Sequence, residues 1–230
     1  MNVLAIDSSN LVMGVAVTSG GKVLGELMTN SRKNHSERLM PAIAGLLDNV
    51  GLGPGDLDRI VVAEGPGSYT GLRIGVTIAK MLAWTLKKEL VGVSSLEVVA
   101  QNARYFSGYI APFFDARRGQ VFAGLYQYKN GKVISSMPDR LVLIKDWIEG
   151  LKALNRPLLF LSNDLEKWND LLNTVPLAVF GDKPQNVPHA AELARLGEEK
   201  QPVPDIHHFL PAYLRLAEAE AKWLARQQER

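Results

Sequence analysis

The run Val61-Val62-Ala63-Glu64-Gly65-Pro66-Gly67-Ser68-Tyr69-Thr70-Gly71-Leu72-Arg73-Ile74-Gly75 constrains this chain more than any other. An apolar strand enters a glycine-rich turn, and the turn opens a helix, as in a phosphate-binding loop. The spacing excludes the two common versions. A Walker loop carries a Lys and a hydroxyl residue directly after its last glycine, to meet phosphate and magnesium, and no Lys follows Gly71. The dinucleotide fingerprint needs a third glycine where Thr70 stands. The glycines therefore serve some other close approach of backbone.

The helix is predicted over Thr70–Leu86. Gly71, Gly75, Ala79 and Ala83 recur every fourth residue and share one face. Glycine inside a helix costs roughly 0.5–1 kcal/mol relative to alanine, so two on one stripe imply that another backbone comes very near. The other faces carry Leu72, Ile74, Val76, Ile78, Met81, Leu82, Trp84 and Leu86, and only Arg73 and Lys80 are charged before Lys87. A helix apolar nearly all round is buried on more than one side. Two arrangements satisfy this pattern: a central helix within one domain, or a helix with one side on its own sheet and the other on a second protein.

Composition narrows the classes. The 230 residues, 47% of them hydrophobic, suffice for one large domain or two modest ones. The absence of cysteine excludes disulfides, thiolate metal sites and cysteine nucleophiles, and suits a reducing compartment. A net charge of +2 does not by itself announce nucleic-acid binding. The chain starts directly in an apolar strand, unlike a signal peptide, and no apolar run reaches the ~20 residues of a membrane span. The expectation is a cytoplasmic protein without membrane contact.

Strands are predicted at Val3–Asp7, Val12–Thr18 and Val23–Met28, the last two joined by a Gly20-Gly21 turn. A helix over Ser36–Val50 carries the stripe Leu39, Met40, Ile43, Leu46, Leu47 and Val50. Pro41 either kinks that helix or marks a later start; the longer, bent helix is the preferred reading. Next come strands at Ile60–Ala63 and Leu90–Val93. Ser94-Ser95-Leu96-Glu97 has the form of a capping box and starts another helix. The second half reads as strands at Tyr109–Phe114, Gln120–Tyr128 and Lys132–Ser136, with Asn130-Gly131 as a hairpin turn. Helices at Asp146–Leu154 and Leu165–Leu172 alternate with short strands at Leu158–Leu161 and Leu177–Phe180. A helix over Ala190–Lys200, a proline-flanked spacer and a charged helix over Leu216–Arg230 close the chain. Both halves follow hairpin strands with alternating helices and strands, as in an internal duplication.

Leu4-Ala5-Ile6-Asp7-Ser8-Ser9 resembles the first phosphate motif of the actin, heat-shock ATPase and sugar-kinase (ASKHA) superfamily, whose plan is a duplicated βββαβα unit. More specifically the chain resembles the bacterial TsaB (YeaZ) family. The likeness rests on that motif, on His35-Ser36-Glu37-Arg38-Leu39-Met40-Pro41, on the glycine loop, on Ser94–Glu97, on Asp115-Ala116-Arg117-Arg118 and on Pro211-Ala212-Tyr213-Leu214-Arg215, in that order along nearly the whole chain. It implies an α/β ASKHA-like fold: a first subdomain over 1–106, a second, degraded one over 107–205, and a terminal extension over 206–230. It also implies a non-catalytic paralogue of TsaD, the metal-containing enzyme that puts threonylcarbamoyl on the adenosine beside the tRNA anticodon. The implied partners are a TsaD-like catalytic subunit and a TsaE-like ATPase, with tRNA met only inside the complex and a homodimer formed through the same helices when TsaD is absent. Those helices would be Ser36–Val50 and Thr70–Leu86, and the expected interface is Leu39, Met40, Ile43, Leu47, Gly71, Leu72, Gly75, Ile78, Ala79 and Leu82.

The resemblance also locates the sites to check. The catalytic relative holds its metal with two His at i and i+4, which lie together on one helix face. Ser95 and Val99 stand at those positions, so neither a metal nor a cofactor is expected. Asp7, Ser8, Ser9 and Asp115 are what remains of the phosphate motifs. In the second motif Arg117 and Arg118 stand where close backbone approach is needed. They form either a solvated hairpin tip, which is preferred, or a contact to phosphate, tRNA phosphate included. A Gly-x-Ser-x-Gly nucleophile elbow is absent. The competing expectation is an autonomous ATP-dependent kinase or metallopeptidase of the same fold.

Overall fold

The computed structural model describes residues 1–31 and 34–215. The predicted terminal helix at 216–230 lies outside the described residues. The first half consists of β1 (Asn2–Asp7), β2 (Val12–Ser19), β3 (Lys22–Asn30), α1 (His35–Asn49), β4 (Arg59–Gly65), α2 (Tyr69–Leu86), β5 (Glu89–Ser94) and α3 (Ser95–Ala100). The second half consists of β6 (Tyr109–Asp115), β7 (Gln120–Lys129), β8 (Lys132–Leu143), α4 (Ile144–Lys152), β9 (Leu158–Leu161), α5 (Leu165–Leu172), β10 (Ala178–Phe180) and α6 (Ala190–Glu199).

Two five-stranded sheets result, ordered β3-β2-β1-β4-β5 and β10-β9-β6-β7-β8. The strand order is the same in both copies, with the hairpin strands antiparallel and the last two parallel. The second copy is reduced at its parallel edge, where β9 and β10 have four and three residues against seven and six in β4 and β5. β8 instead outruns its predicted end at Ser136 and continues to Leu143. Its register against β7 shifts between Ala123 and Tyr126, an irregularity that strict period-two patterning does not reveal.

The molecule is layered. α1 and α2 cover one face of the first sheet, packing Leu39, Ile43, Leu47, Val76 and Ala79 on Leu4, Ile6, Val15 and Val62. α6 covers the opposite face, with Leu193 and Ala194 on Val3, Ala5, Val61 and Val91. α3 sits between the sheets and sends Leu96, Val99 and Ala100 against Ile110, Phe114, Phe122 and Tyr126 of the second. α4 and α5 cover the far face, where Trp147 packs edge-on to Phe113 and Phe160. The segment beyond α6 returns along the first subdomain. Val203 N donates to Leu90 O at 2.8 Å, and Lys80 Nζ donates to the carbonyls of His207 and Phe209 at 2.9 and 2.7 Å. The expected boundary at 205 therefore does not describe the packing: α6 and residues 203–209 lie on the first subdomain, and the extension then crosses to the second, where Arg215 donates to Ala116 O at 2.6 Å.

Local chemistry sets the helix starts. Asn34 caps α1 by accepting from Ser36 N, and Pro41 lies inside that helix, as the longer reading requires. Ser68 caps α2 by accepting from Gly71 N. Ser94 caps α3, but Glu97 does not complete the box; it pairs with Lys200 Nζ at 2.6 Å. Ser94 also donates to the Asp139 carboxylate, which accepts from Tyr126 Oη at 2.6 Å. That knot ties β5 to β7 and β8 across the two subdomains. Burial pushes the Asp139 carboxyl above its ordinary range, against the pull of the two hydroxyls.

Candidate functional site

Two regions gather the residues singled out from the sequence: the outer face of α1 and α2, and the cleft between the subdomains.

On α2 the small-residue stripe faces inward. Gly71, Gly75, Ala79 and Ala83 are buried, and so is Leu72. A Cβ at Gly67 or Gly71 would overlap the carbonyl oxygens of Ser9 and Ser8, and one at Gly75 would overlap Ser8 Oγ. Ser8 Oγ donates to Gly71 O at 2.8 Å, and Ser68 N donates to Ser9 O at 2.6 Å. The close-approaching backbone is thus the chain's own β1–β2 turn. This corrects the expected interface. Gly71, Leu72, Gly75 and Ala79, like Leu39, Ile43 and Leu47 of α1, are buried inside the subunit, and Ile78 and Leu82 are half-buried against the same core. Of the expected residues only Met40 stands exposed.

What α1 and α2 present outward is a different apolar set. Met40, Pro41, Ala44 and Gly45 are exposed on α1, and Met81 and Trp84 on α2. Met81 and Trp84 are 61% and 60% exposed, Met40 42%. His207 touches the Trp84 ring edge-on at 5.8 Å between centroids. The signal for this set was in the sequence: Met81 and Trp84 belong to the apolar residues that the inward stripe leaves on the other faces.

The cleft between the subdomains encloses about 650 Å³ and is lined by the β1–β2 turn (Ser9, Asn10, Leu11), the glycine loop (Gly67–Thr70), the β6–β7 turn (Asp115–Arg117), Asn163-Asp164 and Ala212–Arg215. Its first phosphate motif is partly occupied by the chain's own atoms. Asp7 is fully buried, and its Oδ1 accepts from Ser9 N at 2.8 Å, while Oδ2 has no described partner. Burial raises the Asp7 carboxyl, opposed by the Ser9 backbone and hydroxyl and by His35. In the second motif Asp115 pairs with Lys167 at 2.5 Å and accepts from Arg117 N. Arg117, Arg118 and Gly119 take φ of +62°, +54° and +72°, which lifts both guanidiniums onto an exposed tip. Neither side chain at the metal-pair positions suits a metal. Ser95 and Val99 are both wholly buried, Val99 is hydrocarbon packed between the sheets, and Ser95 Oγ is left without a hydrogen-bond partner. Among the described residues no three His, Cys, Asp or Glu side chains group to hold a metal ion. No described helix is long and apolar enough to cross a membrane.

The repeated strand order, the layers and the cleft between the two copies define an ASKHA-type α/β protein. The family model for TsaD, tRNA N6-adenosine threonylcarbamoyltransferase, matches residues 22–223. A Pseudomonas aeruginosa structure described as having similarity to the peptidase YEAZ superposes with a TM-score of 0.82 at 25% identity, over 93% of this chain and 99% of that one. The tRNA threonylcarbamoyladenosine biosynthesis protein TsaB of Bacillus subtilis is 50% identical over 99% of this chain and 100% of its own length. The protein of the same name from Escherichia coli is 29% identical over 74% of this chain and 75% of its own. The chain belongs to the TsaB family.

Proposed function

We propose that this chain is a non-catalytic subunit for the formation of N6-threonylcarbamoyladenosine in tRNA, docking on a TsaD-type catalytic subunit through the outer face of α1 and α2. The observation that carries the reading is the exposed apolar set Met40, Pro41, Met81 and Trp84 on two adjacent helices. Large apolar side chains grouped at a surface mark a protein contact, and aromatic and Met residues are the types enriched at interface cores. Two further observations support a role without chemistry of its own: the chain partly occupies its first phosphate turn with its own atoms, and Val99 occupies a metal-ligand position with hydrocarbon. A TsaE-type ATPase completes the assembly in this reading, and the same face forms a homodimer when the catalytic subunit is absent.

Co-purification with the TsaD-type protein of the same organism tests it. Trp84→Glu is expected to weaken the association at least about tenfold, the scale of a buried aromatic anchor. Its thermal unfolding should match that of the parent chain, since Trp84 is largely solvent-exposed. Tyr105→Ala, elsewhere on the surface, should leave association unchanged. Normal pairing by the Trp84 variant would move the interface off this face. Threonylcarbamoyl transfer that proceeds equally with and without this chain would remove the proposed role.

A further inference from the structure

Several sequence motifs have no part in the α1–α2 face, yet they meet at the mouth of the cleft. Tyr69 comes from the glycine loop, Arg117 from the β6–β7 turn and Tyr213 from the Pro211–Arg215 run. We propose that Tyr69 and Tyr213 form a stacking platform for an unpaired base of RNA, with Arg73 and Arg117 meeting the flanking phosphates. The proposal rests on the reading above that this chain works on tRNA, and names the surface that touches it.

The two rings lie 5.1 Å apart between centroids at 32°, and the residues are 46% and 39% exposed. They are held in place before any ligand arrives. Tyr69 is the first residue of α2, and the Arg73 guanidinium lies over its ring at 5.4 Å. Tyr213 is fixed on either side, by Ala212 N donating to Glu64 O at 2.7 Å and by Arg215 donating to Ala116 O at 2.6 Å. A preordered aromatic surface loses little conformational freedom on binding. Every base has a π-face, so such a surface accepts single-stranded nucleic acid without demanding sequence.

The charges agree with a polyanion. Arg215 is committed to Ala116 and Gln120, but Arg117 is exposed and its guanidinium meets no described carboxylate. The acids near the cleft are engaged: Asp115 with Lys167, Asp164 with Asp115 N. A free nucleoside triphosphate fits less well. Ser9 N is spent on Asp7, Ser68 N on Ser9 O, and Gly67 sits against Ser9, so the first turn offers phosphates no open cradle.

The test uses this chain assembled with its TsaD-type partner and a fluorescein-labelled anticodon stem-loop RNA, read by anisotropy. Tyr213→Ala is expected to weaken RNA binding about tenfold and Tyr213→Phe to leave it unchanged, because the ring and not the hydroxyl stacks. Arg117→Ala should lower the salt dependence by about one charge. Wild-type RNA affinity in both Tyr213→Ala and Arg117→Ala overturns the proposal. So does loss of the protein partner in Tyr213→Ala, which would make the rings a protein contact, and so does displacement of the RNA by ATP. If Tyr213→Ala does not fold, Arg117→Ala and Arg117→Glu decide alone. If the parent chain forms no complex, the preceding reading fails instead. Ultraviolet crosslinking of the RNA to the isolated chain then decides the platform, with adducts on Tyr69 or Tyr213 supporting it and adducts elsewhere overturning it.

Discussion

Single residues carry the tightest constraint where the glycine loop crosses the β1–β2 turn. Gly67, Gly71 and Gly75 leave room for Ser8 and Ser9 and for nothing larger. Gly75→Leu is therefore expected to destabilise the isolated subunit by about 1–3 kcal/mol or more, the cost of overpacking a filled site. A thermal melt checks this, and a variant that melts like the parent would return the stripe to the surface. The recurrence of small residues every fourth position made the stripe itself legible, along with the need for a close backbone. It did not reveal whose backbone, because periodicity says which residues share a face and not which body meets it. Val99 was legible as a non-ligand from its chemistry alone. The Asp139 knot with Ser94 and Tyr126 was not, since its members are distant in sequence and none belongs to a motif.

Among the elements, α6 shows how a helix is recruited across the duplication. Its hydrophobic spacing was readable, but its place on the first sheet depends on tertiary contacts of Leu193 and Ala194 with β1 and β4. The N-terminal end of α6 is anchored by Glu26 of β3, whose Oε1 accepts from Ala191 N at 3.1 Å and lies 3.8 Å from His189 Nδ1. The neighbouring Glu26 carboxylate raises His189 above its ordinary 6.5. Burial works against the Glu26 charge, but the His189 ring and the Ala191 N–H outweigh it and hold the carboxyl below 4.5. The His189 contribution is complete below its unfolded pKa and is lost as pH rises through the raised folded value. The Glu26 contribution is complete above its unfolded pKa and is lost as pH falls through the lowered one. Both stand together between pH 4.5 and 6.5. His189→Gln should cost about 0.5 kcal/mol there, as for a partly exposed pair, and almost nothing at high pH. Denaturant melts across that range measure the difference, and a pH-independent loss would assign it to packing.

For the molecule as a whole, the duplicated plan was visible from the order of hairpins and helices, and the identical order of the two sheets bears it out. The interlocking was hidden, because nothing local in α6 or in residues 203–215 says which copy they serve. Val3, Ala5, Val61 and Val91 of the first copy are covered by a helix encoded after the second. Residues 1–106 produced alone are accordingly expected to aggregate, and co-expression with residues 107–230 to restore solubility, measurable by sedimentation of the lysate. A soluble, monomeric 1–106 fragment would contradict this. Two repeats of one design thus no longer amount to two modules: each gene segment depends on the other for its finish, and recombination that parted them would leave neither product viable.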